Sequence, residues 1–163
     1  MKRLVFILLP ILILSLFSCQ EQKYDILSYQ EKEIEADCTL NDEYKIKVTK
    51  KDGVSTVSFA EPHSLSYFSF TLKNGEITAK ASDLEIPLNN ERYQGAYALL
   101  SMFSLSDECL VYAGTNGETE VFEFSSDTGE YKLTMGEAGV PKTIEIFGDC
   151  FSFDIVIDAI KLN

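Results

Sequence analysis

The chain has 163 residues, a formal net charge of −12 and a hydrophobic fraction of 45%. This length suits one domain with a real core. An acidic surface repels phosphate backbones and anionic lipid head groups, which disfavours nucleic-acid binding.

The N-terminal segment has the order of a secretory signal peptide. Lys2 and Arg3 are basic, an apolar run extends from residue 4 to residue 17, and Ser18 precedes Cys19. The run falls short of the roughly 20 residues that an uninterrupted membrane-spanning helix needs. We therefore predict that the segment before Cys19 is removed and takes no part in the fold.

The tetrapeptide Leu16-Phe17-Ser18-Cys19 resembles the lipobox of bacterial lipoproteins. The resemblance implies cleavage between Ser18 and Cys19 and a diacylglyceryl group on the Cys19 thiol. It places the protein at a bacterial cell membrane, lipid-anchored on the extracytoplasmic face, since two acyl chains hold stably where one binds marginally. A secretory signal with a chance cysteine, or an uncleaved anchor helix, is the alternative.

The signal peptide is thus residues 1–18, residues 19–28 form a polar, lipid-attached linker, and residues 29–163 form a single domain. Loss of the two basic residues of the signal peptide changes the net charge to −14.

Three further thiols, those of Cys38, Cys109 and Cys150, are an odd number without CxxC spacing. They indicate neither a zinc site nor a complete disulfide framework, and one disulfide or three buried thiols both remain open.

Beyond the linker, apolar and polar residues alternate in short segments, as in half-buried strands. Asp52-Gly53 and Asn74-Gly75 predict tight hairpins, and Pro87 predicts an edge strand or a strand end. The alternating segments occupy residues 34–40, 44–48, 57–59, 68–72, 77–81, 84–88, 110–112, 121–124, 131–135, 143–146 and 151–157.

One segment has helical spacing. Between residues 90 and 104 the apolar side chains recur every three or four positions, behind Asn89 or Asn90 as possible caps. The predicted fold class is mainly β (α+β). We expect a strongly curved antiparallel sheet, or open half-barrel, of about nine to ten strands with this helix packed in its concave face.

The order of these elements resembles the LolA/LolB superfamily of bacterial lipoprotein carriers and their lipid-anchored relatives. The matching motifs are Phe59-Ala60-Glu61-Pro62 and Gly139-Val140-Pro141-Lys142-Thr143-Ile144-Glu145. The resemblance implies an incomplete antiparallel barrel, plugged by helix, whose apolar cavity receives acyl chains. The chain lacks the carrier's long amphipathic N-terminal helix, and lipidation at Cys19 is incompatible with a free shuttle, so it resembles the anchored acceptor more closely.

The sequence contains no recognisable catalytic constellation. His63 is the only histidine, and no cysteine lies near it with ligand spacing. Glu33, Glu35 and Asp37 share one strand face but lack the glycine-containing loop of a calcium site, so we interpret them as a solvated outer face. We expect no enzymatic activity, no metal and no cofactor.

The aromatic residues suggest a binding function. Phe and Tyr residues on strand positions either fill an ordinary core or line a cavity between sheet and helix that suits a lipid tail. The candidate cavity residues are Phe68, Phe70, Leu72, Tyr97, Leu100 and Phe103. One hypothesis is therefore a membrane-anchored protein that binds or hands over an apolar ligand such as an acyl chain, lipid or lipoprotein. The alternative is a non-catalytic module that docks on an envelope protein complex.

Substitution tests the predicted anchor. Cys19→Ser removes the thiol that would accept the diacylglyceryl group, so we expect an unprocessed precursor without fatty-acid label. Metabolic labelling with a tagged fatty acid measures this result. Continued labelling of the Cys19→Ser chain would contradict the assignment.

Overall fold

The computed structural model describes residues 27–117, 119–137 and 139–163. Ser18, Cys19 and most of the predicted linker lie outside these residues. The described part contains one antiparallel sheet and one α-helix, α1, of residues Gln94–Ser101. The strands are β1 (Ile34–Leu40), β2 (Tyr44–Lys51), β3 (Val54–Glu61), β4 (Phe68–Lys73), β5 (Glu76–Ala81), β6 (Leu84–Leu88), β7 (Leu110–Asn116), β8 (Thr119–Ser126), β9 (Gly129–Met135), β10 (Pro141–Gly148) and β11 (Phe151–Leu162).

The sheet consists of two meanders joined at their first and last strands. Its order is β6-β5-β4-β3-β2-β1-β11-β10-β9-β8-β7, and every neighbouring pair is antiparallel. We call β1–β6 the N-terminal arm and β7–β11 the C-terminal arm. The two edge strands, β6 and β7, are linked through α1. The predicted open half-barrel is confirmed, with eleven strands in place of nine or ten.

The tight turns follow from the residues that the sequence places in them. Asp52 and Gly53 have φ values of 50° and 73°, and Asn74 and Gly75 have values of 51° and 80°. Two successive positive φ values define the type I′ turn, whose twist matches that of the flanking strands. The hairpins predicted at these dipeptides are therefore present.

The helix is shorter than the predicted range of residues 90–104. The side-chain oxygen of Asn89 accepts hydrogen bonds from the backbone N–H groups of Glu91 and Arg92, at 2.9 and 3.3 Å. This contact closes a turn of its own, and α1 begins only after Tyr93. An asparagine that caps a turn has the same sequence signature as one that caps a helix, which explains the difference.

The position of α1 shows that the sheet curves. The helix packs on β3 and β4 and also on β10 and β11. In a flat sheet, with strands about 4.8 Å apart, β4 and β10 would lie about 24 Å from each other. A helix about 10 Å across contacts both only if the sheet bends around it.

The core fills the space between α1 and the sheet. Leu100, Met102 and Phe103 are fully buried against apolar side chains from both arms. The hydroxyl of Tyr131 donates a hydrogen bond of 3.3 Å to the carbonyl of Ala98, which ties α1 to β9. Gly95 lies so close to β11 that a Cβ there would sit 3.2 Å from the ring of Phe151.

Lys50 closes one end of the interior. Its Nζ donates hydrogen bonds to the carbonyl oxygens of Gln30, at 2.6 Å, and Phe103, at 2.8 Å. The ring of Tyr29 also meets that of Phe103 edge-on, with centroids 6.4 Å apart. Burial lowers the pKa of Lys50. This end of the core face is therefore sealed by the chain that enters the domain.

The outer face of the central strands is polar and charge-paired. Glu33 pairs with Lys51 at 3.1 Å, and Glu35 pairs with Lys47 across β1 and β2. The Lys47 ammonium lowers the pKa of the Glu35 carboxyl. These two carboxylates thus belong to a solvated strand face, as the sequence indicated.

The three described thiols are free and differ in exposure, which predicts their reactivity. Burial raises the pKa of the Cys38 thiol to about 12, and Asp158 and Asp37 add to the effect, whereas Cys150 is exposed. Because the thiolate is the nucleophile, we expect Ellman's reagent at pH 8 to modify Cys150 readily and Cys38 only after unfolding. The measurement uses the chain with Cys19→Ser, which removes the fourth thiol. Adding Cys150→Ser should remove the fast reaction and so identify the thiol responsible for it. Fast reaction of Cys38 in the folded protein would contradict its burial.

Candidate functional site

The candidate site is the core-facing side of β4, β5 and β6. The pairing register assigns side chains to this side: Val57 on β3 pairs with Phe70, which pairs with Ala79, which pairs with Ile86. Residues that pair directly across a sheet point to the same face. Since Val57 is fully buried in the core, the other three side chains also point toward the interior.

Nine apolar side chains make up this surface, which we call the apolar arm face. They form three rows across the strands, set by the alternation along each strand. The inner row is Leu72, Ile77 and Leu88, the middle row is Phe70, Ala79 and Ile86, and the rim row is Phe68, Ala81 and Leu84.

Exposure rises across the apolar arm face toward the edge of the sheet. Ile77 in the inner row is 1% exposed, whereas Ile86 is 46% and Leu84 59% exposed. The reason is the position of α1, whose main contacts on this arm are with β3 and β4. The helix thus leaves core-type residues of β6 in contact with solvent.

An exposed aromatic ring lies beside the rim row. Tyr67 is 51% exposed, and its ring lies against that of Phe68 with centroids 4.4 Å apart. Tyr93, at the start of α1, is also exposed. The opposite side of the arm is polar and carries the Lys80–Glu85 ion pair at 3.3 Å. Only the core-facing side is therefore suited to an apolar ligand.

The six residues predicted to line a cavity lie in two environments. Leu100 and Phe103 are fully buried in the core. The others are half-buried: Phe68, Phe70 and Leu72 belong to the apolar arm face, and Tyr97 packs against the core from α1.

Sequence reasoning missed most of this surface. The residues of β5 and β6, above all Leu84 and Ile86, were not proposed as site residues. Their alternation was visible in the sequence, and the Asn74-Gly75 turn fixes the pairing of β4 with β5. The sequence therefore indicated that apolar side chains of β5 and β6 share one face of the sheet. It did not indicate which of these side chains α1 covers.

The described residues offer no metal centre. Within residues 27–117, 119–137 and 139–163, no group of three or more His, Cys, Asp or Glu side chains is arranged to hold a metal ion. His63 is exposed in the short 3-10 turn His63–Leu65. In the same part of the chain, no helix has the length and apolar character to cross a membrane.

Comparison with known proteins gives similarity at the level of fold. The sequence matches no protein-family model and no curated protein. The structure is similar to a LolA superfamily protein from Nitrosomonas europaea, with 12% identity, a TM-score of 0.49, and coverage of 85% of this chain and 92% of that chain. It is also similar to an uncharacterized conserved protein from Thermus thermophilus, with 14% identity, a TM-score of 0.49, and coverage of 85% and 86%.

Two isoleucines on the same face test the exposure gradient. Ile77→Ala empties a buried position and should lower the free energy of unfolding by about 2–5 kcal/mol. Ile86→Ala removes a side chain that is already partly hydrated and should cost less than about 1 kcal/mol. Urea denaturation measures both. Similar losses in the two variants would mean that β6 is covered.

Proposed function

We propose that this protein is a membrane-anchored bacterial lipoprotein that holds an acyl chain of a lipid or lipoprotein on the apolar arm face. The observation that carries the proposal is the exposure of Leu84 and Ile86 on the side of the sheet that faces the core. Large contiguous apolar patches are uncommon on soluble proteins and often mark a binding site.

The chemistry of the apolar arm face favours a hydrocarbon chain. All nine side chains of the three rows are apolar, so the surface offers no polar anchor within it. A hydrocarbon chain gains about 0.8 kcal/mol for each methylene that it buries. Because the face is open at the rim row, an acyl chain can be taken up and released without unfolding of the domain.

The anchor defines where this binding takes place. Lipidation of Cys19 would tether the domain on the extracytoplasmic side of the cell membrane. The distance from Cys19 to Leu27 is at most about 28 Å even for a fully extended chain, at 3.3–3.6 Å per residue. The apolar arm face would then work close to the bilayer, where acyl chains are supplied.

The filled interior favours a second candidate function. Leu100 and Phe103 occupy the space between α1 and the sheet. A protein whose interior is full can still dock a partner on an exposed apolar surface. The alternative is thus a non-catalytic module that binds an envelope protein through the apolar arm face.

Acyl-chain binding is tested with a fluorescent fatty acid and the delipidated protein. The variant Leu84→Ser/Ile86→Ser removes exposed apolar surface and should weaken binding about tenfold, at about 25 cal/mol per Å². Val111 is 66% exposed on β7 at the other edge of the sheet, so Val111→Ser is the matched control and should leave the affinity unchanged. Urea denaturation confirms that all three proteins are folded.

Two results would contradict acyl-chain binding. One is the absence of both fluorescence uptake and a co-purified apolar species in native mass spectrometry. The other is equal weakening by the control variant. Recovery of one envelope protein by a photo-crosslinker at position 86, together with no fatty-acid uptake, would favour the docking module.

A further inference from the structure

A second surface lies on the other arm, in a cleft beside the last half of β11. The cleft has a volume of about 840 Å³. It runs between β11, the start of β8 and the turn that joins β9 to β10. Its lining is Thr119, Glu120, Met135, Gly136, Glu137, Val140, Pro141, Lys142, Ile157, Asp158, Ala159 and Ile160.

The cleft exists because β10 is shorter than β11. The pairing of β10 with β11 ends at Thr143 and Val156. β11 continues to Leu162 with β1 as its neighbour on the other side. At its beginning β10 has Pro141, which has no N–H group to offer to a sheet. Residues 157–162 therefore form an internal edge within the sheet.

Backbone groups of this edge point away from β1, and Ile160 among them lines the cleft. Glu33 and Asn163 exchange both of their backbone hydrogen bonds, at 3.2 and 3.0 Å. In an antiparallel ladder such pairs alternate with pairs that do not bond each other. Ile160 and Leu162 are of the second kind, so their N–H and C=O groups point away from β1. Among the described strands none lies beside these groups.

The walls of the cleft are apolar and its rim is acidic. Met135 is buried, while Ile157 and Ile160 are half-buried and belong to the core-facing side of the sheet. Glu120 and Glu137 are both exposed at the rim. Asp158 already pairs with Lys45 at 3.0 Å, and Lys142 is the one basic residue of the lining.

We propose that residues 157–162 bind an extended segment of a partner protein that carries apolar and basic side chains on the same face. Such a segment adds as a strand to β11, with its backbone bonded to Ile160 and Leu162. Its core-facing side chains are apolar where they cover Ile157 and Met135. They are basic at the end that meets Glu120, which lies on the same face of the sheet as Met135. An acyl chain fits this cleft less well, because hydrocarbon cannot satisfy unpaired amide and carbonyl groups. The site is separate from the apolar arm face and does not depend on acyl-chain binding.

The probe is a short synthetic peptide with blocked ends. Valine and lysine occupy every second position and threonine the positions between, so that valine and lysine share one face. At about ten times its Kd, it should slow hydrogen exchange at the amides of Ile160 and Leu162 about tenfold, as read by NMR on the full chain carrying Cys19→Ser. The control is the same peptide with N-methyl groups on the backbone nitrogens of one edge. It has equal charge, but it lacks the N–H donors that would pair with β11. It should leave both exchange rates unchanged.

Charge reversal at the rim of the cleft is the second test of the proposal. Glu120→Lys/Glu137→Lys should weaken peptide binding about threefold or more, whereas Asp83→Lys/Glu91→Lys, an equal change of net charge at exposed positions far along the sheet, should weaken it less. Equal weakening by the two variants, or binding without protection of Ile160 and Leu162, would overturn the proposal. Protection that rises with protein concentration in the absence of peptide would assign the edge to a second copy of the chain and overturn it too.

Discussion

The pairing of β1 with β11 is the contact on which the architecture depends. It joins the two meanders into one sheet, and it brings Ile34 beside Leu162 from opposite ends of the domain. Because the two strands are far apart in the sequence, their pairing lowers the chain entropy, and burial of apolar side chains must offset this loss. Lys50 and Tyr29 add to it by holding the entering chain against Phe103.

Placing the first and last strands at the centre leaves β6 and β7 at the edges. The short helix between these edge strands must span the core, and eight residues of α1 cover only the middle of a bent eleven-stranded sheet. The C-terminal arm is nevertheless well buried, with Phe122, Phe124 and Leu133 in the core. The edge of the N-terminal arm is not covered, so apolar side chains of β6 meet solvent. The exposed surface is thus a consequence of topology, since Leu84, Ile86 and Leu88 alternate along β6 as the apolar residues of a core-facing strand do.

Both proposed surfaces arise where a strand lacks a neighbour or a cover. On the N-terminal arm the missing cover leaves side chains exposed and favours a hydrocarbon ligand. Beside β11 the missing neighbour leaves backbone groups unpaired and favours a polypeptide. One half-barrel can therefore present two sites of different chemistry at separate places.

Local patterns in the sequence determined the strands and the type I′ hairpins, and they indicated an edge strand or a strand end at Pro87. Alternation, Asp-Gly and Asn-Gly dipeptides and Pro87 act over a few residues, so no tertiary information is needed to interpret them. The lipobox at Cys19 is likewise a local signal, and it remains a prediction. The tertiary structure alone decided that α1 begins after Tyr93, that Leu100 and Phe103 fill the interior, and that Leu84 and Ile86 stay exposed. Burial of an apolar side chain depends on which remote segment packs over it, and that is fixed by the bend of the sheet around α1.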